Sequence, residues 1–328
     1  MITKIGKEEI IKECAELIKK GEIVAFPTET VYGLGANALD ENAVKKIFAA
    51  KNRPSDNPFI VHVNSIEDAE KVAFVTEDAK KIFEKFSPGP ITVVLKKKPI
   101  VPDCVTAGLD TVGIRMPSHK LAQEFLRECG VPIAAPSANV SKKVSPTEAQ
   151  FVYDDLSGKI PAIIDGGRCD VGIESTVISL AGDRPVILRP GAITKEMLEE
   201  QINGVSNFSG KVDVAPAPGM KYVHYSPIVP CVLYRTTNGA MTEYDLRQAE
   251  GKNPIILAES EDCKIFNSKG YNCVDLGKDS NQFMHEIFAK LRICEKKYDY
   301  IIVQALGNEG VEYGIMNRLL KSSGGVIV

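Results

Sequence analysis

Short apolar runs recur along this chain, separated by stretches with helical spacing, and that alternation limits it to an α/β architecture. The first run is Ile23-Val24-Ala25-Phe26, a continuous apolar segment of the kind that forms a buried strand. Further runs fall at 60–63, 91–95, 113–115, 133–135, 163–165, 176–179 and 186–188. Between them, Ile10, Ile11, Cys14, Leu17 and Ile18 repeat with the 3.6-residue period of a helix, and Gly21 ends it. Asp40 is placed to cap a helix whose buried face carries Val44, Ile47 and Phe48. Amphipathic stretches at 78–86, 120–129 and 147–153 continue the pattern. Residues 1–205 therefore read as one mixed α/β domain.

The texture changes near Asn203. Gly204, Gly210, Pro216, Pro218 and Gly219 interrupt a segment with few hydrophobes, so 206–228 reads as an extended linker. Its tail, Pro218-Gly219-Met220-Lys221-Tyr222-Val223-His224-Tyr225-Ser226-Pro227, is rich in aromatic and hydrogen-bonding side chains, and we expect it to close over a site as a lid. A second alternation follows. Strand runs at 229–234, 255–258, 273–276, 300–303 and 325–328, with helix patterns at 283–294 and 309–320, predict a small parallel sheet in a domain spanning 229–328.

A length of 328 residues suits two such domains. The 40 basic and 43 acidic residues leave a formal net charge of -3, which excludes a bulk electrostatic grip on nucleic acid but allows a local basic groove. The eight cysteines are scattered singly without a C-x-x-C pair, which argues against zinc and a disulfide framework. The first residues are too charged for a signal peptide, and no apolar run approaches the ~20 residues of a membrane span. The expectation is a cytoplasmic enzyme with no membrane partner.

Gly33-Leu34-Gly35-Ala36-Asn37-Ala38 matches a dinucleotide fingerprint, but it follows the preceding strand too late and meets no helix start before Asp40. No Walker-type phosphate loop occurs. The better constellation is spread over several loops. Pro27-Thr28-Glu29-Thr30, with Tyr32 close behind, offers hydroxyls and a carboxylate suited to a small zwitterion, with Glu29 able to meet an ammonium. Lys51-Asn52-Arg53-Pro54 ends the helix begun after Asp40, where two cations equally suit a solvated helix end. Ser137-Ala138-Asn139 follows one strand, Thr111 and Arg115 flank another, Ser175-Thr176 begins a third, and Arg189-Pro190-Gly191 ends a fourth. Read alone, each is an ordinary turn. Together, Lys51, Arg53, Arg115 and Arg189 are a set of cations able to converge on a polyphosphate. The same set would serve an RNA-binding module with a basic concave face.

These residues, in this order, resemble the YrdC-type threonylcarbamoyl-AMP synthases, and the linker and second domain resemble that family's long form. The resemblance implies a YrdC-like mixed twisted sheet followed by a Rossmann-like domain. It implies that L-threonine, bicarbonate and ATP, with Mg2+, give threonylcarbamoyl-AMP and pyrophosphate. A separate tRNA threonylcarbamoyl transferase would then consume the product, so that tRNA is an indirect partner. Position by position it implies threonine at Thr30, His62, Arg115, Ala135 and Ser175. It implies ATP at Lys51, Arg53, Asn57, Thr111, Ser137, Asn139, Ser145, Arg189 and Tyr225, with Lys51 and Arg53 acting on the reacting phosphates. Ala135 departs from relatives that carry threonine there. Transfer from carboxylate to α-phosphorus needs positioning and charge neutralisation more than a protein nucleophile. That requirement agrees with an inventory of cations and hydroxyls that has no Ser-His-Asp set.

Overall fold

The computed structural model describes residues 2–210 and 225–328. The first unit is built on strands β1 (Lys4–Gly6), β2 (Val24–Phe26), β3 (Gly33–Asn37), β4 (Ile60–His62), β5 (Ile91–Lys96), β6 (Thr111–Arg115), β7 (Ile133–Ala135), β8 (Ala162–Ile164), β9 (Thr176–Ser179), β10 (Val186–Arg189) and β11 (Ser206–Asn207). They form one mixed sheet in the order β1-β8-β2-β3-β7-β4-β6-β5-β9-β10-β11. Its helices are α1 (Ile11–Lys19), α2 (Glu41–Lys51), α3 (Ile66–Val72), α4 (Glu77–Phe86), α5 (Asp103–Thr106), α6 (Lys120–Cys129), α7 (Ala149–Leu156) and α8 (Lys195–Glu199). Asp40 caps α2 as its position predicts, accepting from the Asn42 and Ala43 amides.

The two faces of this sheet are covered unequally. On one face, Leu34, Val61, Ala134 and Ile114 join the large core that takes in Ala43, Val44 and Ile47 of α2 and Ala79, Ile82 and Phe83 of α4. On the other, Cys14 and Ile18 of α1 and Phe125 and Cys129 of α6 cover Val24, Phe26, Ile133 and Ile164. That helix pair stops short of β4 and β6.

The dinucleotide-like Gly33–Asn37 is strand β3, antiparallel to β2. Its glycines leave room for a neighbouring ring. A Cβ on Gly33 would stand 3.2 Å from the Phe26 ring, and one on Gly35 would stand 2.7 Å from Ile133 and 3.0 Å from that ring. The motif serves packing, not a pyrophosphate.

The second unit holds β12 (Cys231–Tyr234), α9 (Thr237–Ala249), β13 (Pro254–Ala258), α10 (Ser260–Ser268), β14 (Cys273–Asp275), α11 (Ser280–Cys294), β15 (Tyr300–Gln304) and α12 (Gly310–Ser322). Its sheet has the order β12-β15-β13-β14 and every pair is parallel. Helices α9 and α10 pack on one face through Ala240, Tyr244, Cys263 and Phe266. On the other, Phe283, Ile287 and Leu291 of α11 and Ile315 and Leu319 of α12 pack against Leu233, Ile255 and Ile301. The same apolar cluster takes in Val31, Val144 and Ile173 of the first unit, so α11 and α12 are sandwiched between the two sheets. The expected strand at 325–328 is only a bridge from Ile327 to Leu233. The Leu233 amide donates to Val326 O at 3.0 Å and the Val328 amide to Leu233 O at 2.8 Å.

Candidate active site

Where α1 and α6 leave the first sheet bare, a cleft of about 640 Å³ opens on its face. Register explains its floor. Ile60 pairs with Ala135 on one side and Gly113 on the other, and His62 pairs with Arg115. Alternation puts Ile60, His62, Gly113, Arg115 and Ala135 on one face, with Val61, Ala134 and Ile114 on the other. The small residues Gly33 and Ala135 keep the floor low. The site thus lies across the sheet, and not beyond strand ends as in doubly wound folds.

Charge lines the walls. Arg53, Arg115, Lys143 and Arg189 border the cleft together with Ser137, Asn139, Ser145, Glu174 and Tyr225. Arg115 is held from behind: its Nη2 donates to Glu29 Oε1 at 2.7 Å, and Glu29 Oε2 accepts the Ser118 amide at 3.0 Å. Its Nε has no hydrogen-bond partner among the described residues. His62 Nδ1 is likewise without one, and the ring stands edge-on to Phe26 at 5.6 Å. Burial, with the Arg115 charge beside it, pushes the His62 pKa down to about 3, so the imidazole is neutral at physiological pH. Arg189 Nε donates to Ser175 O at 3.0 Å and its Nη2 to Ser175 Oγ at 3.1 Å.

Of the residues expected from the sequence, the structure brings His62, Arg115, Ala135, Arg53, Ser137, Asn139, Ser145, Arg189 and Tyr225 to this cleft. Four others stand behind it, and a fifth, Thr111, is on the same face of β6 without lining the cleft. Thr30 is buried, its hydroxyl 2.9 Å from that of Thr28, which does line the cleft. Ser175 is spent on Thr92 at 2.8 Å and on Arg189. Asn57 is buried and accepts from Arg53 through its carbonyl at 3.2 Å. Thr111 begins the strand that Arg115 ends, about 13 Å away at ~3.3 Å per residue. Lys51 is fully buried, donating to Ser137 O and, at 2.5 Å, to Asn139 O. Burial, followed by the Arg53 charge, drives its pKa well below the usual lysine range. It holds the Ser137–Asn139 turn from beneath and does not reach the cleft. Glu29, read above as able to meet an ammonium, is committed to Arg115.

Two charged lining residues escape sequence reasoning. Lys143 stands in a charged turn and looks like any solvated lysine. Glu174 directly precedes Ser175-Thr176, and that adjacency was the one signal available. The expected lid rests on Tyr222 and His224, which lie outside the described residues. Tyr225 is described: its φ is +66°, its carbonyl accepts from Ser322 Oγ at 2.7 Å, and its ring stacks on Phe288 at 5.5 Å. Among the described residues no cluster of three or more His, Cys, Asp or Glu could hold a metal, and no helix is long and apolar enough to cross a membrane.

Comparison with known proteins adds two family matches. A family described as "Telomere recombination" (Sua5_yciO_yrdC) matches residues 16–191, and one described as "Threonylcarbamoyl-AMP synthase, C-terminal domain" matches 193–324. The threonylcarbamoyl-AMP synthase of Bacillus subtilis is 43% identical, over 97% of this chain and 94% of its own. A putative threonylcarbamoyl-AMP synthase of Methanocaldococcus jannaschii is 39% identical over 58% of this chain and 92% of its own. The crystal structure of Pyrococcus abyssi Sua5 complexed with L-threonine superposes with a TM-score of 0.91 at 40% identity, covering 100% of this chain and 98% of that one.

Proposed function

The chain belongs to the Sua5/YrdC family of threonylcarbamoyl-AMP synthases, and from that membership we propose how its cleft performs the reaction. It makes threonylcarbamoyl-AMP and pyrophosphate from L-threonine, bicarbonate and ATP, for the threonylcarbamoyl modification of tRNA adenosine. The observation that carries the assignment of parts is the cleft itself, where arginines from three separate elements face a floor of small residues around a neutral histidine.

Arg115 takes the threonine carboxylate on the part of its guanidinium that Glu29 does not occupy. His62 meets the amino acid's polar groups, with Ala135 beneath, while the Thr28 hydroxyl donates to Val31 O at 2.6 Å and shapes the wall. The threonine amine and bicarbonate form a carbamate with loss of water. A carbamate oxygen attacks the α-phosphorus, and the bond to the β-phosphate breaks as pyrophosphate leaves. Arg53, Arg189 and Lys143 neutralise the charge that builds on the phosphate oxygens. Ser137, Asn139 and Ser145 orient the nucleotide, while Lys51 shapes the turn that carries two of them. Magnesium enters with ATP. Glu174 is the carboxylate that lines the cleft, and with phosphate and water it would be the residue able to meet the metal, which would offset charge on the phosphates. The product is a mixed anhydride that water would destroy. That chemistry calls for a separate transferase to receive it and for a first domain at 1–205 closed by the later chain.

The RNA-binding reading is disfavoured by burial. Arg115 and Arg189 are each 4% exposed, too enclosed to release counterions along a phosphate backbone.

Pyrophosphate release, followed with ATP, bicarbonate and single amino acids, tests the assignment. Threonine should exceed valine by at least about tenfold, because valine leaves a polar partner of the threonine hydroxyl unmatched. Equal release with the two amino acids would sink it.

A further inference from the structure

The cleft belongs to the first sheet, yet parts of its wall are held from the second. Arg318, on α12, is 0% exposed. Its Nε donates to Glu174 Oε2 at 3.0 Å and its Nη2 to Glu174 O at 3.1 Å. Its Nη1 donates to Pro190 O at 2.6 Å, and the guanidinium stands 5.8 Å from the Tyr225 ring. The other Glu174 oxygen, Oε1, accepts from the Ser145 hydroxyl at 2.5 Å. One guanidinium therefore spans the second residue before β9, the turn after Arg189 and the start of the second unit, all at the cleft.

A second arginine repeats the construction. Arg292, on α11, donates to Asp155 through Nη1 at 3.1 Å and Nη2 at 2.6 Å, and to Val144 O through Nε at 3.0 Å. Asp155 accepts from the Val140 amide at 3.2 Å and from Lys143 at 2.9 Å. That turn carries Asn139, whose amide donates to Val140 O and Lys143 O, each at 2.9 Å.

Simple adhesion between the units does not explain this choice of residues. Replacing a buried ion pair by well-packed apolar side chains is often neutral or stabilising, and the interface already has an apolar cluster. What an arginine adds is direction, because its planar fork fixes several acceptors at once.

We propose that Arg318 is a positioning residue for the synthase reaction: through Glu174 it sets the Ser145 hydroxyl, and through Pro190 it sets Arg189, so the second unit determines the shape of the first unit's cleft. Arg292 does the same for Asn139 and Lys143. The proposal rests on the functional reading above, because it assumes that Ser145 and Arg189 meet ATP.

The test uses the full chain and threonine-dependent pyrophosphate release. Glu174 is faced by Ser145, by Arg318 and Lys321 of α12, by Arg189 of β10 and by Tyr225. Burial acts to raise its pKa and is outweighed by Arg318, then Arg189, so that the carboxyl lies below its ordinary value. Without Arg318 burial has less to oppose it, and Glu174 takes up a proton more readily as pH falls. Arg318→Met should lower kcat/KM for ATP by at least about tenfold at pH 6.5, with a deficit that shrinks toward pH 9. Adding Glu174→Gln should abolish that variant-specific pH dependence. Wild-type constants in Arg318→Met, a deficit equal at every pH, or a dependence that survives Glu174→Gln (and so belongs to Lys321) would each overturn the proposal. If Arg318→Met does not fold, Arg318→Lys decides: a raised KM for ATP supports the proposal and an unchanged KM overturns it. Wild-type protein that releases no threonine-dependent pyrophosphate would overturn the functional reading, and the proposal with it.

Discussion

His62 shows how a single side chain takes its character from its surroundings. In an unfolded chain it titrates at the ordinary histidine value of 6.5, whereas burial pushes it down to about 3 in the fold. Between those values the unfolded chain binds a proton that the folded one refuses. Its contribution is therefore fully present above pH 6.5 and is lost progressively as pH falls toward 3. From pH 7.5 to 5.5 the loss is about 1.4 kcal/mol by linkage. Urea unfolding at the two pH values checks this against His62→Asn, which should lack that component. Equal pH dependence in both proteins would show that the imidazole is hydrated or paired in the fold. Lys51 carries a related lesson. Its place at a helix end suggests a solvated cation, yet it is buried under the Ser137–Asn139 turn and donates to the carbonyls of both residues.

At the scale of elements, α12 touches the first unit through a glycine. A Cβ on Gly314 would stand 3.0 Å from Gly191 Cα and 3.1 Å from Gly191 O. Gly191 has little room to retreat, since a Cβ built on it would stand 2.7 Å from the Thr176 amide nitrogen. Helix propensity favours alanine over glycine by about 1 kcal/mol in a helix interior, while overpacking costs about 1–3 kcal/mol. The clash involves backbone on both sides, so it outweighs propensity. Gly314→Ala should destabilise by about 0.5–2 kcal/mol in urea unfolding and raise KM for ATP, because the displaced turn carries Arg189. A stabilised variant with an unchanged KM would mean that the spacing between α12 and this turn is slack.

For the molecule as a whole, the two sheets share an apolar cluster and two buried arginine–carboxylate contacts, Arg292 with Asp155 and Arg318 with Glu174. Unfolding either unit alone would expose the shared apolar cluster and break both pairs. The chain should therefore unfold in one calorimetric transition, with van't Hoff and calorimetric enthalpies that agree. The double variant Arg292→Met/Arg318→Met should bring that cooperativity down and separate two transitions. Two transitions in the wild type would show that the units are thermodynamically independent.

The strand and helix order was legible in sequence because each element carries its own period and stop signals. The apolar runs at 60–63 and 133–135 and the capped helix after Asp40 are local patterns, and local patterns survive without knowledge of partners. The helices α9 and α10 were not, since the buried apolar face of each rests on two residues, Ala240 and Tyr244 in one and Cys263 and Phe266 in the other. The site was legible as a set of residue types: nine of the expected positions line the cleft, and the family resemblance supplied their grouping. Their geometry was not legible. Whether a lysine at a helix end faces water or supports a turn, and whether Glu29 is free for substrate or committed to Arg115, depends on strands far apart in the chain. Register across β7, β4 and β6 put the site on the sheet's face, and that register is set by pairing. The hold of Arg318 and Arg292 on the cleft spans more than a hundred residues of sequence. Only the packing of α11 and α12 against the first sheet brings those charges together, because a buried charge is placed by whatever desolvates and pairs it.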